Sequence, residues 1–254
     1  ATQQAIIESN DYNINEIATP ETMDDLRGMM AVKQQNIDRN IRDEDTKKKM
    51  FRTISKMKFS SFVYNTLLCL LFIVIFPWWL YLFWVKGKYR KTWKQKLFPQ
   101  VYEKRFVPGT VIWIHAVSLG ETKAVAPLVQ RLLQEYPDLP LVISSCTETG
   151  HAEAKKVFPK ASLHLMLPLD FPWLMQPLME NFSPGLVVCV ESDFWWNFLQ
   201  SAKAQGAKLA VVNGKMSEAS FRRFQRFSWW SRSLFSLFDM VCVQGEEFLE
   251  RFRF

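Results

Sequence analysis

Two glutamates stand where a carboxylate could do chemistry. Glu121 follows the β-type run TVIWIH and the small-residue stretch AVSLG, so it is predicted to lie in the first turn of a helix. Glu191 ends a second apolar run, LVVCVE. Free backbone N–H groups and the helix dipole favour an ionised carboxylate at a helix start, so we expect Glu121 in its base form at neutral pH. A structural alternative stands beside this one: Glu121 complements the dipole and Glu191 caps a helix.

Smaller polar residues follow the other apolar runs and are candidates for binding a phosphate or a sugar. They serve equally well as ordinary caps and turns. The glycine of the SLG turn lets the backbone pass close to a ligand. The candidates are Ser118, Gly120, Thr147, Thr149, Gly150, Asn213, Lys215 and Ser217.

The elements that position these residues alternate between strands and helices from about residue 107. Continuous apolar strands alternating with helices predict a parallel sheet covered on both faces, which is the Rossmann-like α/β class. Ligands of such sheets bind at the carboxyl ends of the strands, where the polar residues cluster. The predicted strands are 110–115, 141–146, 162–167, 186–191, 208–213 and 240–244, and the predicted helices are 121–136, 150–158, 173–182, 194–205 and 217–238.

A run of 27 residues at 59–85 contains no charged side chain. As a helix it would be roughly 40 Å long, more than the hydrocarbon core of a bilayer requires. Aromatic residues near its end, including Trp78, Trp79 and Trp84, are typical of a membrane surface. Lysines and arginines flank both ends, so the positive-inside rule does not orient the segment. The anchor therefore either spans once or dips into the cytoplasmic leaflet and returns.

Charge divides the rest of the chain. Residues 1–49 form a polar extension with an acidic excess, whereas the remainder carries about ten positive charges in excess. The basic segment 86–106 is predicted to lie on anionic head groups, with everything from residue 86 on the cytoplasmic side. The arginines and aromatics of 220–235 could suggest nucleic acid. At helical spacing they better fit an amphipathic helix facing the membrane, and we expect no nucleic-acid partner.

Several site classes are not supported by the sequence. His115, His151 and His164 lack metal-ligand spacing, so no metal site is predicted. The four cysteines are far apart and show no CxxC pair, which predicts reduced thiols in a cytosolic setting. No Walker loop, GxGxxG pattern or Ser-His-Asp arrangement is evident.

Five segments together resemble the N-terminal half of bacterial 3-deoxy-D-manno-octulosonic acid (Kdo) transferases, which are lipopolysaccharide glycosyltransferases of the two-domain GT-B fold. They occur in the order and at the approximate spacing of that family, after a hydrophobic anchor and a basic segment. The resemblance covers about residues 62–254. The segments are IHAVSLGE (114–121), SSCTETG (144–150), LPLD (167–170), ESDFWWN (191–197) and NGKMSEAS (213–220).

The chain departs from the family pattern at three points. The Trp-Pro-Asn of the family is Trp195-Trp196-Asn197 here, without the proline. Lys215 stands where an arginine is common, which keeps the charge but not the bidentate fork. The chain also stops at Phe254, within the helix after the sixth strand, so we expect the second domain, which holds most of the cytidine nucleotide site, to be missing.

The resemblance implies an inverting transfer of Kdo from CMP-Kdo to a lipid A precursor at the inner membrane, with no other cofactor. It implies that Glu121 is the general base for an acceptor hydroxyl and that Glu191 stabilises the transition state or holds the acceptor. As an isolated half, the chain is expected to be inactive. The alternatives are a non-catalytic membrane-anchored acceptor-binding protein or decayed gene product, and another GT-B lipid glycosyltransferase.

Overall fold

Six apolar segments form the parallel sheet that the sequence predicts. The computed structural model describes residues 44–86, 93–97 and 106–253. The sheet has the order β3-β2-β1-β4-β5-β6, and each neighbouring pair is parallel. This confirms the Rossmann-like α/β class. The strands are β1 (Ile112–His115), β2 (Leu141–Ser145), β3 (Leu163–Met166), β4 (Leu186–Val190), β5 (Lys208–Gly214) and β6 (Met240–Val243).

The helices of the described residues begin with one long apolar segment. They are α1 (Glu44–Trp84), α2 (Trp93–Leu97), α3 (Leu119–Ala124), α4 (Ala126–Glu135), α5 (Glu148–Val157), α6 (Pro172–Phe182), α7 (Trp196–Ala204), α8 (Glu218–Arg226), α9 (Ser228–Phe235) and α10 (Glu246–Phe252).

Two segments predicted as single helices are each divided in two. The segment 121–136 breaks at Val125, because Pro127 has no N–H to continue the bonding of α3 and instead suits the first turn of α4. The segment 217–238 breaks at Phe227, whose backbone (φ −110°, ψ 42°) is not helical. Both divisions were invisible to periodicity alone.

Side chains alternate between the two faces of the sheet and form two hydrophobic layers. On one face, Ile112, Ile114 and Ile143 pack with residues of α4 and α5. On the other face, Trp113 and Val187 pack with residues of α6, α7 and α9. Both faces are covered, which explains why the strands lack the polar alternation of a solvent-facing sheet.

The predicted anchor lies within α1. Residues Lys58–Trp84 form the one helix, among the described residues, that is long and apolar enough to cross a membrane. Because α1 starts at Glu44, the boundary expected between the polar extension and the anchor falls inside a continuous helix. Residues 1–43, most of the predicted extension, and parts of the basic segment 86–106 lie outside the described residues.

The order of the strands defines where a ligand site should lie. Strands β1 and β4 are neighbours at the centre of the sheet, and the chain runs outward from them in opposite directions. Their carboxyl ends, at His115 and Val190, therefore border the crevice where ligands of open α/β sheets bind. Glu191 follows β4 directly, and Glu121 lies in the helix that follows β1.

Candidate active site

The carboxylate of Glu121 is held at the start of α3 by a reciprocal capping arrangement. Ser118 Oγ accepts a hydrogen bond from the Glu121 backbone N–H at 3.3 Å and donates to Glu121 Oε1 at 2.6 Å. The Val117 N–H donates to Glu121 Oε2 at 2.7 Å. Only 6% of Glu121 is exposed. Each oxygen retains a lone pair for a further donor, because an ionised carboxylate has about four acceptor positions.

Glu191 lies across the crevice in an unusual backbone conformation. Its φ is +66°, in the left-handed region that glycine adopts readily and L residues avoid. The Glu191 N–H donates to Val212 O at 2.9 Å, which continues the pairing of β4 with β5 by one residue. Strained backbone of this kind persists where surrounding structure holds it in place, and it concentrates at functional sites.

Lys215, a predicted ligand-binding residue, is paired with Glu191. Its Nζ lies 2.8 Å from Glu191 Oε2, and the lysine side chain is 42% exposed. The positive charge therefore belongs to the carboxylate cluster, yet remains open to an anionic ligand.

A third carboxylate, Asp193, completes the cluster and was not among the predicted site residues. Its carboxyl group lies beside that of Glu121, and a hydrogen bond from Glu121 favours the ionised form of Asp193. Burial raises the pKa of Asp193, and the neighbouring Glu191 charge raises it further, whereas the bond to Glu121 and the charge of Lys215 act in the opposite direction. Two carboxyl groups can share a hydrogen bond only while one of them carries a proton. Glu121 and Asp193 therefore titrate as a pair.

The environment of Glu121 opposes the effect of its place at a helix start. Burial raises the pKa of Glu121, and the charges of Asp193 and Glu191 add to this rise. The hydrogen bonds from Ser118 and Val117 lower it but do not prevail. The pKa is thus raised rather than held low, because desolvation penalises the charged form more than the helix start favours it.

Three of the predicted binding residues act as N-caps along the same edge of the sheet. Ser118 caps α3, Thr147 caps α5 and Ser217 caps α8, each by accepting a hydrogen bond from a backbone N–H three residues further on. Thr147 Oγ1 also donates to Val117 O at 3.0 Å, which joins α5 to the segment before Glu121. These hydroxyls therefore fix the starts of the three helices that border the site.

The two predicted glycines differ in what surrounds them. A Cβ at Gly150 would lie 2.9 Å from Val117 O and 3.1 Å from Ser118 C, so this glycine permits α5 to approach the Glu121 segment. A Cβ at Gly120 would have only Ser118 Oγ nearby, at 3.9 Å. Gly120 lies in the first turn of α3 and not in a separate turn, which corrects the expected SLG turn. The protein itself therefore leaves room at Gly120.

The remaining predicted residues, Asn213 and Thr149, lie at the same edge of the sheet. Asn213, with φ +55°, accepts a hydrogen bond from Gln244 Nε2 at 2.9 Å through its Oδ1. Thr149 is exposed in the first turn of α5 and contacts Thr147 at 3.4 Å. Gln244 was not singled out from the sequence, because it follows the short strand β6 without a recognisable motif.

Asp170, at the end of LPLD, is a buried acceptor for helix α7. Its carboxylate accepts from the N–H groups of Asn197 at 3.0 Å and Phe198 at 2.8 Å, and from the Tyr64 hydroxyl at 2.8 Å. Burial raises the pKa of Asp170 to about 7, although these three donors oppose the rise. Asp170 thus fixes the helix that directly follows the loop of Glu191 and Asp193.

The histidines are placed as structural residues or at the domain surface. His115 is fully buried, its Nδ1 lies 2.8 Å from Ser144 Oγ, and burial lowers its pKa to about 4. Within the described residues, no group of three or more His, Cys, Asp or Glu side chains is arranged to hold a metal ion.

Comparisons with known proteins bear on the whole sheet domain. A family model described as 3-deoxy-D-manno-octulosonic-acid transferase (kdotransferase) matches residues 91–254. The chain is 38% identical to the 3-deoxy-D-manno-octulosonic acid transferase of Chlamydophila psittaci over 200 residues, which cover 78% of this chain and 46% of that protein. It is 35% identical to the Bordetella pertussis protein of the same name over 141 residues, covering 54% of this chain and 32% of that one.

The chain spans about half the length of the first of these curated relatives. Among solved structures, a UDP-N-acetylglucosamine 2-epimerase superposes with a TM-score of 0.40 at 13% identity, covering 57% of this chain and 43% of that chain.

Proposed function

Because the chain belongs to the Kdo transferase family, we propose that it forms the acceptor-binding half of an enzyme that transfers Kdo from CMP-Kdo to a lipid A precursor. One observation carries the proposal to particular residues. Glu121, Glu191 and Asp193 lie close together beside the carboxyl ends of β1 and β4, where the strand order reverses. A cluster of carboxylates at that crevice suits the removal of a proton from a sugar hydroxyl.

Glu121 acts as the general base in this proposal. The acceptor oxygen forms a bond to the anomeric carbon of Kdo, the bond from that carbon to the CMP phosphate breaks, and Glu121 takes the hydroxyl proton. Attack from the side opposite the leaving phosphate inverts the configuration. A raised pKa makes Glu121 a stronger base near neutral pH, provided that it is ionised. Asp193 and Glu191, as neighbouring negative charges, strengthen Glu121 as a base by raising its pKa further.

Glu191 and Lys215 hold the acceptor in this proposal. The Glu191 carboxylate accepts hydrogen bonds from sugar hydroxyls or stabilises positive charge at the anomeric centre in the transition state. Lys215, half-exposed beside it, contacts a phosphate of the acceptor as a point charge. Ser118, Gly120, Thr147, Thr149, Gly150, Asn213 and Ser217 complete the proposed acceptor side of the crevice.

The nucleotide side of the site is proposed to lie in a second domain, since the relatives are about twice as long as the matched region. The proposed donor is CMP-Kdo, with no metal or other cofactor. The enzyme is proposed to act at the cytoplasmic face of the inner membrane, where α1 anchors it next to the lipid acceptor.

A transfer assay tests the proposal. The full-length protein that contains this chain is incubated with a lipid A precursor and either CMP-Kdo or, as the control donor, UDP-N-acetylglucosamine, and products are resolved by mass spectrometry. We expect a mass increase of one or more Kdo residues with CMP-Kdo only. Transfer from the control donor instead would indicate another lipid glycosyltransferase, and stoichiometric acceptor binding without transfer from either donor would indicate a non-catalytic binding protein.

A further inference from the structure

The apolar helix α1 carries a stripe of polar side chains that faces the sheet domain. Ser61, Tyr64 and Asn65 lie three and four residues apart, so they share one face of the helix. Four side-chain hydrogen bonds join this stripe to the domain: Trp196 to Ser61 at 2.9 Å, Ser61 to Gln200 at 2.7 Å, Tyr64 to Asp170 at 2.8 Å and Asn197 to Asn65 at 2.7 Å. Tyr64 also stacks on Trp230 with ring centroids 6.2 Å apart.

The same face of α1 stays close to the domain further along the helix. Phe72, two turns beyond Tyr64, meets the ring of Phe171 edge-on at 5.6 Å. Phe83, near the end of α1, meets Trp93 of α2 at 6.0 Å. Helix α2 is in turn held by the Leu169 N–H, which donates to Lys96 O at 3.0 Å. The helix therefore packs on the sheet domain from Ser61 to Phe72, and its last turn contacts α2.

The opposite face of α1 is apolar and exposed over the same length. Phe62, Leu70, Val74, Trp78 and Trp84 are each more than half exposed. Such a continuous strip of large apolar side chains is far more than a soluble surface usually presents. The strip must be shielded from water, and its length and apolar composition suit the hydrocarbon of a lipid leaflet.

Exposed aromatic residues of the domain extend this strip on both sides. Trp229 lies 5.5 Å from Phe59 at one end of the strip, and Phe227 next to it is 53% exposed. Trp173, stacked on Phe171 at 4.5 Å, is exposed near the middle. Arg222, Arg223 and Arg226 of the adjoining helix α8 are exposed. Aromatic rings rimmed by arginines match the head-group region of an anionic membrane.

A membrane crossing is incompatible with these contacts. A spanning helix needs roughly 20 residues surrounded by lipid. The contacts with the sheet domain run from Ser61 to Phe72, which leaves only about a dozen residues of α1 beyond them, fewer than a crossing needs. Crossing would also leave Ser61, Tyr64 and Asn65 without their partners.

We propose that α1 lies in the plane of a single leaflet of an anionic membrane, with one face seated on the sheet domain, the other in lipid, and both ends on the domain's side. This arrangement explains why basic residues flank both ends of the apolar run, Lys56 and Lys58 before it and Lys86 and Lys88 after it. Each end then remains at the same charged surface. The inference concerns membrane attachment and does not depend on Kdo transfer.

Depth measurements along the exposed face test this arrangement. In the full-length protein with its cysteines replaced by alanine, an environment-sensitive fluorophore is attached to single cysteines at Phe62, Val74 or Trp84. The variants are reconstituted in vesicles of phosphatidylethanolamine and phosphatidylglycerol that contain lipids brominated at defined depths. A helix in the plane of the interface keeps all three labels within about 5 Å of one depth. A label at Leu68, on the domain-facing side, is the control and is quenched less.

A depth profile in which Val74 lies roughly 15 Å deeper than Phe62 and Trp84, as the rise of a spanning helix requires, would overturn the proposal. Sidedness provides a second readout. Cysteines at exposed Lys58, just before the apolar run, and at exposed Lys160 are expected to react with a membrane-impermeant thiol reagent from the same side of sealed vesicles. Reaction from opposite sides would show that α1 crosses the bilayer.

Discussion

Glu121 and Asp193 form a carboxyl pair whose members set each other's proton affinity. Glu121 alone would be a helix-start carboxylate with a low pKa. Burial and the neighbouring charges of Asp193 and Glu191 raise the pKa instead. The raised pKa that makes Glu121 a useful base therefore depends in part on Asp193.

Replacing Asp193 tests this dependence. Asp193→Asn removes a negative charge that raises the pKa of Glu121 and adds an amide that can donate to it, so both effects lower that pKa. In the full-length enzyme, the acidic limb of the pH profile of kcat/KM is expected to move to lower pH. Glu180→Gln, in the last turn of α6 away from the cluster, is the matched control and should leave the profile in place. An unmoved limb in Asp193→Asn would argue against the pair.

Glu191 is held in a backbone conformation that its side chain does not favour. A residue with a Cβ at φ +66° incurs a conformational cost of about 1–2 kcal/mol, which a glycine at the same position would not incur. Glu191→Gly is therefore expected to have a free energy of unfolding about 1 kcal/mol higher than Glu191→Ala, after allowing for the greater entropy of unfolded glycine. Both variants lose the Lys215 ion pair and, we expect, activity. Denaturant unfolding followed by circular dichroism checks the order, and a more stable alanine variant would contradict it.

Helices α3 and α5 are held together where they start, and Gly150 is the point of closest approach. A Cβ at Gly150 would overlap backbone atoms of Val117 and Ser118, which cannot move without moving Glu121. Gly150→Ala is expected to lower the free energy of unfolding by about 1–3 kcal/mol and to reduce kcat.

Gly120→Ala is the matched comparison, because the protein leaves space there. Its alanine should stabilise the helix by up to about 1 kcal/mol. If a ligand approaches Gly120 as proposed, Gly120→Ala raises the acceptor KM while the protein stays fully folded. Unchanged kinetics in Gly120→Ala would remove this residue from the acceptor site.

The joint between α1 and α7 depends on Asp170. Tyr64→Phe keeps the ring on Trp230 but removes one donor, so we expect a loss of about 1 kcal/mol in the free energy of unfolding. Asp170→Ala leaves two backbone N–H groups of α7 and the Tyr64 hydroxyl without their acceptor, and should cost about 2–4 kcal/mol. Chemical unfolding of both variants in detergent micelles measures the difference. Equal losses would mean that Asp170 does not support α7.

The strands of this domain could be predicted from sequence because buried parallel strands are short, continuous apolar runs between polar turns. Helix ends were harder, since Val125 and Phe227 interrupt segments whose apolar spacing continues across the break. The polar stripe of α1 escaped notice for a related reason. Ser61, Tyr64 and Asn65 carry no charge, so they hardly change the mean hydropathy of their segment. They nevertheless determine which face of α1 packs on the sheet domain.

The candidate site was predictable in outline. The places of Glu121 and Glu191 follow from strand order, because β1 and β4 end at the same crevice. The pairing of Lys215 with Glu191 and of Asp193 with Glu121 joins loops far apart in sequence, and no local spacing encodes such contacts. The raised pKa of Glu121 likewise results from burial by the whole domain.

The molecule as a whole combines a sheet domain of the Kdo transferase family with the long apolar helix α1, which packs against it. The helix contacts α7, the helix that follows the loop of Glu191 and Asp193, so the proposed membrane attachment and the crevice share a structural element. In the proposed arrangement, a lipid acceptor reaches the crevice without leaving the membrane surface.

The most direct measurement is the rate of Kdo transfer by the full-length protein with Glu121 intact and with Glu121→Gln, at saturating CMP-Kdo and lipid A precursor. The glutamine keeps the shape of the side chain but cannot accept the acceptor's proton, so kcat is expected to fall at least about 100-fold. The midpoint of unfolding should change little. A kcat within about threefold of the unmodified enzyme, a barrier change below 1 kcal/mol, would mean that Glu121 only caps α3 and that the base lies elsewhere.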